Sequence, residues 1–209
     1  MKVMAAAAVA AAALAGCGGG PVKVGTAAVV DDDRIELSTL DRAVQDWQRE
    51  FRADERANLI RQRLGSDQLW DSDLREALDW LVKFRVAGEV AERNGLPVSE
   101  GQVDEVVAAL DRQAGAASAT RAYGLPARYT RDLARFFAVQ TLAAQRFAGN
   151  AQPGSPQSAA AQEQTKNLFV TAARGMRITI NPRFGGFDPA QVGLTPVAFT
   201  LSATESGIR

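Results

Sequence analysis

The chain has 209 residues, 46% of them apolar and 23% charged, with 24 basic and 24 acidic side chains and a formal net charge of zero. This is the composition of a folded domain with a substantial core, and the charge balance gives no bulk attraction to nucleic acid or to an anionic surface. Histidine is absent and cysteine occurs once, at Cys17, which excludes imidazole general bases, Ser-His-Asp triads, His-containing zinc sites and an internal disulfide.

In chain order, Met1 and Lys2 precede an alanine-rich apolar run from Met4 to Leu14, followed by Ala15-Gly16-Cys17. A run of this length suits a secretory signal and is shorter than the ~20 residues a spanning helix needs. The quartet Leu14-Ala15-Gly16-Cys17 resembles the lipobox of bacterial lipoproteins. The resemblance implies a diacylglyceryl group on the Cys17 thiol, cleavage between Gly16 and Cys17, and Cys17 as the acylated N-terminus of a protein held on the extracytoplasmic face of the cell membrane. Two or three acyl chains anchor a domain stably, because each buried methylene contributes ~0.8 kcal/mol. The expected organisation is a signal peptide over 1–16, a lipidated glycine-rich tether over 17–25, a helical domain over 26–188 and a tail over 189–209.

Residues 27–37 read as a β-hairpin: Ala27-Ala28-Val29-Val30, a turn at Asp31-Asp32-Asp33, then Arg34-Ile35-Glu36-Leu37 with alternating polarity. The three aspartates suit a turn, and no nearby loop supplies the further oxygens of a calcium site. Ser38-Thr39-Leu40-Asp41 has the form of a capping box. It opens a helix with Leu40, Val44, Trp47 and Phe51 on one face, continuing through Leu59, Ile60 and Leu64 to Gly65. Arg49, Glu50, Arg52, Asp54, Glu55 and Arg56 read as its solvated side.

A second helix is capped at Ser72 or Asp73, with Glu76 placed to close a box. Its apolar positions from Leu74 to Ala91 cover more than a stripe, which predicts a central helix with several neighbours. Asn94-Gly95 and Leu96-Pro97 end it. Ser99-Glu100-Gly101-Gln102 opens a third helix that Gly115 stops. A short helix over 117–123 follows, then a long helix after Pro126 presenting Tyr129, Leu133, Phe136, Phe137, Val139, Leu142 and Phe147. A loop over 149–157 leads into a helix from about Ser158 to Gly175, with Thr165, Leu168, Phe169 and Ala172 as its contacts. Residues 176–181 alternate as a strand that Pro182 ends, and the pattern beyond Asp188 is weak. The fold class is therefore mainly α: five to six helices with a small antiparallel sheet formed by the N-terminal hairpin and a C-terminal strand, because a lone hairpin is marginal.

Neither a phosphate-binding Gly-Lys-Ser/Thr loop nor a nucleophile elbow is present. The carboxylates Asp67, Asp71, Asp73, Glu76 and Asp79 fall at caps and helix faces, so no catalytic residue, metal ligand or cofactor is assigned. The aromatics remain as candidates for binding: Trp47, Phe51, Trp70, Trp80, Phe84, Phe136 and Phe137 could line an apolar groove, and core packing competes for most of them. Trp70 is the one no helix face explains.

The order of elements, with the opening strand pair and Ser38-Thr39-Leu40-Asp41, the Asn94-Gly95-Leu96-Pro97-Val98-Ser99 break, Tyr123-Gly124-Leu125 before the long helix, and Ile178-Thr179-Ile180-Asn181-Pro182-Arg183-Phe184-Gly185-Gly186-Phe187-Asp188 at the close, resembles the SurA N-terminal-domain family, relatives of the SurA and PrsA chaperones. The resemblance covers nearly all of residues 26–188. It implies a chaperone module that binds unfolded or extended polypeptide clients through a groove between helices, with no nucleotide or cofactor. Relatives that isomerise prolyl bonds carry a separate parvulin domain, for which no segment here is free. The expectation is a non-enzymatic, membrane-anchored holdase for secreted or envelope proteins that does not bind nucleic acid. The alternative is a lipoprotein module that docks one folded envelope partner. An apolar cleft between the first helix and the long helix after Pro126 is the feature to look for.

Overall fold

The structure, a computed structural model, describes residues 24–64 and 72–197. The leader, Cys17 and the tether up to residue 23 lie outside the described residues, as do Trp70, Asp67, Asp71 and the chain beyond 197. The order is β1 (Thr26–Val30), β2 (Asp33–Glu36), α1 (Leu37–Arg52), α2 (Glu55–Arg63), α3 (Asp73–Arg93), α4 (Glu100–Ala114), α5 (Ala116–Ala122), α6 (Thr130–Ala148), α7 (Pro156–Gly175), β3 (Ile178–Ile180), β4 (Gly186–Asp188) and β5 (Gly193–Thr195). The fold is mainly helical, with a small antiparallel sheet from both ends of the domain. Among the described residues, no helix is long and apolar enough to cross a membrane.

β1 is the middle of a three-stranded sheet in the order β2-β1-β3, with Val30 opposite both Asp33 and Ile178. The turn after β1 uses Asp31 in a left-handed conformation (φ 52°). Its carboxylate accepts the Arg177 backbone N–H at 2.8 Å, and Asp33 pairs with Arg85 at 2.6 Å. Asp31 and Asp32 also pair with the Arg177 guanidinium, at 4.0 and 3.4 Å, so the aspartates tie the hairpin to the chain entering β3 and to α3.

β2 runs directly into α1. The Leu37 N–H donates to the Gly25 carbonyl at 2.9 Å, so the helix begins at Leu37 with Glu36 at the N-cap. The capping box expected at Ser38 is not formed, because Ser38 already lies inside the first turn. The helix expected to reach Gly65 is broken at Ala53. Asp54 caps α2 by accepting the Ala57 N–H at 3.0 Å, and the Asn58 amide donates to the Phe51 and Asp54 carbonyls. Ser72 is the N-cap of α3 but makes no side-chain cap bond; Glu76 does not close a box and turns instead to Arg61. The Ser99–Gln102 capping box of α4 and its end at Gly115 form as expected.

α3 is the central element. Leu78, Leu81, Val82, Val86 and Val90 are buried, against β1, α1, α6 and α7. The segment after β3 docks on the same helix. Asn181 donates from its amide to the Thr26 carbonyl at 2.9 Å and accepts the Arg183 N–H at 3.2 Å, and Phe184 is buried. β4 and β5, in the stretch whose sequence pattern is weak, form a second antiparallel hairpin. Two buried polar residues one turn apart on α3 grip it. The Arg75 guanidinium donates to the Phe184 carbonyl at 3.0 Å and the Thr195 carbonyl at 2.8 Å. The Asp79 carboxylate accepts the Leu194 N–H at 2.9 Å. Gly185 (φ 95°) is required where the hairpin crosses itself: a Cβ there would lie 2.1 Å from the Thr195 oxygen.

Candidate functional site

The aromatic residues fall into two groups. In the first, Trp47 and Phe51 of α1 stack with centroids 5.1 Å apart. The Trp47 indole N–H donates to the Arg121 carbonyl at 2.7 Å. The Arg61 guanidinium covers both rings, at 5.4 and 5.8 Å. Arg61 also forks onto Glu76, with bonds of 3.0 and 2.6 Å. Gly124, in a left-handed conformation, lets that carboxylate approach; a Cβ would sit 2.5 Å from the Glu76 carboxyl carbon. Beside it Arg121 pairs with Glu50 at 3.1 Å and with Asp54 at 2.7 Å. Burial opposes the charge on Asp54, but its bonds from Ala57, Ser118 and Arg121 outweigh this and hold its pKa below the ordinary 3.8. Glu50 and Asp54 are therefore not a solvated face: they lock α1 and α2 to α5. Trp47 and Phe51 have their polar edge and faces spent inside the fold.

The second group is a continuous chain of rings. Trp80 meets Tyr123, Phe84 and Phe136 at centroid distances of 5.2, 5.9 and 5.5 Å, and Phe136 meets Phe137 at 5.6 Å and Phe169 at 5.8 Å. These separations are those of favourable edge and tilted pairs. Phe136 is buried, while Trp80, Phe84 and Phe137 are half-buried. Burial raises the Tyr123 hydroxyl pKa.

This chain of rings ends in open space. A cleft of about 580 Å³ lies between α3, α6, α7 and the turn before β5, floored by Trp80, Phe136, Phe137 and Phe169. Its polar lining is Lys83, Gln140, Gln162, Thr165, Lys166 and Gln191. A second depression of about 470 Å³ lies between α4 and α6, lined by Val106, Ala109 and Leu110. The two meet along Phe137, Gln140 and Ala144, a single stripe of α6, as the three-to-four-residue spacing dictates. Arg131 holds α4 against α6 by bonds to Glu100 at 2.5 Å and Asp104 at 2.6 Å, and Arg135 pairs with Glu100. Those two arginines keep the Glu100 carboxyl below its ordinary value.

The carboxylates expected at caps and helix faces are engaged separately. Asp73 accepts the Gln48 amide at 2.7 Å, Glu76 faces Arg61, and Asp79 binds Lys83 at 2.6 Å. Among the described residues, no three acidic or cysteine side chains converge on a point that could hold a metal ion. The site residues read from the sequence thus divide: Trp80, Phe136 and Phe137 line the cleft, Phe84 packs on Trp80 and lines a separate depression of about 370 Å³ with Phe136, and Trp47 and Phe51 lie elsewhere. Phe169 and the three glutamines complete the cleft without having been singled out. Phe169 was legible only as a helix contact, and the glutamines carry no sequence signal.

No family model, curated protein or solved structure matches the chain.

Proposed function

We propose that this protein is a lipid-anchored, extracytoplasmic binder of unfolded or extended polypeptides, a holdase related to the SurA N-terminal-domain family and without prolyl isomerase activity. The observation that supports this reading is the cleft floored by Trp80, Phe136, Phe137 and Phe169, continuous with the apolar depression over α4. Its volume falls in the range of about 300–1,000 Å³ typical of ligand sites, and its lining is aromatic with a few polar groups. A groove of this kind takes apolar side chains of varied shape, as a binder of many clients requires. The membrane attachment rests on the Leu14-Ala15-Gly16-Cys17 motif alone.

The test is suppression of aggregation of several unrelated, chemically unfolded proteins. The reading expects protection of more than one client at near-stoichiometric concentration and no acceleration of prolyl isomerisation in a peptide. Protection of none overturns it. A tight complex with one folded envelope protein, and no effect on unfolded chains, would favour the docking-module reading. Cys17→Ala is expected to release the protein from the membrane fraction; a variant that stays membrane-bound contradicts the anchor.

A further inference from the structure

The chain holds four lysines against twenty arginines. Among the described residues the lysines are Lys83 and Lys166, and both line the aromatic cleft. Among the described residues, no carboxylate lines it. Lys83 lies 5.3 Å from the Trp80 ring centroid and is bound to Asp79, which is itself tied to the hairpin. Lys166 stands on α7 with its side chain 65% exposed and only a distant partner, Glu163, at 4.0 Å. Asp79 thus offsets the Lys83 charge, and Lys166 is the cation that the rim leaves exposed. Lysine suits that rim, being a flexible point charge that follows a carboxylate without demanding one planar geometry.

The side-chain amides of Gln140, Gln162 and Gln191 face the same space and make no hydrogen bond to another described residue. Each amide offers donors and an acceptor. An acyl chain would leave all three unused, whereas an extended peptide presents a backbone N–H and C=O at every residue, about 3.3 Å apart. Charge and amide complementarity together select the occupant.

We propose that the cleft prefers extended peptide segments in which aromatic side chains alternate with carboxylates, the rings seated on Trp80, Phe137 and Phe169 and a carboxylate at Lys166. This rests on the polypeptide-binding reading above and names its client class. Rim charges set preference more than total affinity, so the expected discrimination is moderate.

The test uses three labelled peptides of alternating Phe and Glu, Phe and Gln, or Phe and Lys, titrated with the full-length protein at low ionic strength and read by fluorescence anisotropy. The wild-type protein is expected to bind the Glu peptide about fivefold more tightly than the Gln peptide, and the Lys peptide most weakly. Lys166→Glu should remove the Glu preference, read as the ratio of the Glu and Gln peptides' affinities, with Lys166→Gln giving a smaller loss in the same direction. Addition of 0.5 M salt, about a fourfold shortening of the screening length relative to 0.03 M, should do the same. Equal binding of the Glu and Gln peptides, or a preference that survives Lys166→Glu, overturns the proposal while the Gln peptide's binding keeps the polypeptide reading intact. Failure of all three peptides overturns both, and binding of laurate in their place assigns the cleft to a lipid.

Discussion

The two aromatic groups, one around Trp47 and one around Trp80, are built from similar residues and end in opposite conditions. On the α1–α2–α5 side every polar group near the rings is engaged: the Trp47 N–H by Arg121, the ring faces by Arg61, and Arg61 by Glu76. On the α6–α7 side the rings pack in a chain, Lys83 lies over Trp80, and the side-chain amides of Gln140, Gln162 and Gln191 are unspent. A tryptophan whose edge and faces are committed is a structural part. One that borders a cleft of about 580 Å³ is available to a ligand. The difference lies in what surrounds the rings, which residue type alone does not encode.

The sharpest way to break this comparison is to truncate one ring on each side. Trp47→Ala is expected to cost about 4 kcal/mol of stability, as large-to-small changes in a core do. Its effect on peptide affinity per folded molecule should be negligible. Gly124→Ala should lose about 3 kcal/mol, from a left-handed backbone position and displacement of Glu76 from Arg61. Urea denaturation midpoints measure both, and a loss below about 1 kcal/mol at Gly124 would contradict the close approach described. Phe137→Ala reverses the pattern. Half-buried, it should cost roughly 2 kcal/mol or less while weakening peptide binding about tenfold, because centrally placed aromatic anchors carry binding energy disproportionately.

The smallest effect separates the sides by pH. Asp54 has a folded pKa below its ordinary 3.8, so its contribution is fully present above that value and is lost as pH falls through 3.8 toward the folded pKa. The urea midpoint should therefore decline on acidification below about pH 5. Among the described residues, no carboxylate lines the cleft, so affinity for an uncharged peptide, corrected for folded fraction, should change by less than about twofold between pH 6 and pH 4. A parallel collapse of both would place a titrating group in the cleft.

Much of the fold was legible because strong local signals were decisive. The Ser99–Gln102 box, the Gly115 stop, the hairpin over 26–36 and the alternation at 176–181 each became the element their pattern specifies. Asp54 was misread because mixed charge on a helix face has the same pattern whether it meets water or Arg121. The β4–β5 hairpin was illegible for another reason: its strands have three residues each, too few to show a period. It exists because Arg75 and Asp79, distant in sequence, supply partners for its backbone. The cleft was half legible. Its rings follow helix spacing, but Gln191 and Val192 complete its wall from a stretch with no periodic signal.

Ala144 offers the most direct measurement. It is half-buried on the α6 stripe shared by the cleft and the α4 depression, so Ala144→Arg fills the groove from a helix position that tolerates a long side chain. Titration of wild type and variant with the Phe–Gln peptide, alongside thermal melts, gives the answer. The account predicts a melting temperature within about 3 °C of wild type and peptide affinity at least about tenfold weaker. Undiminished binding by a folded Ala144→Arg variant would contradict the assignment of this cleft as the binding site.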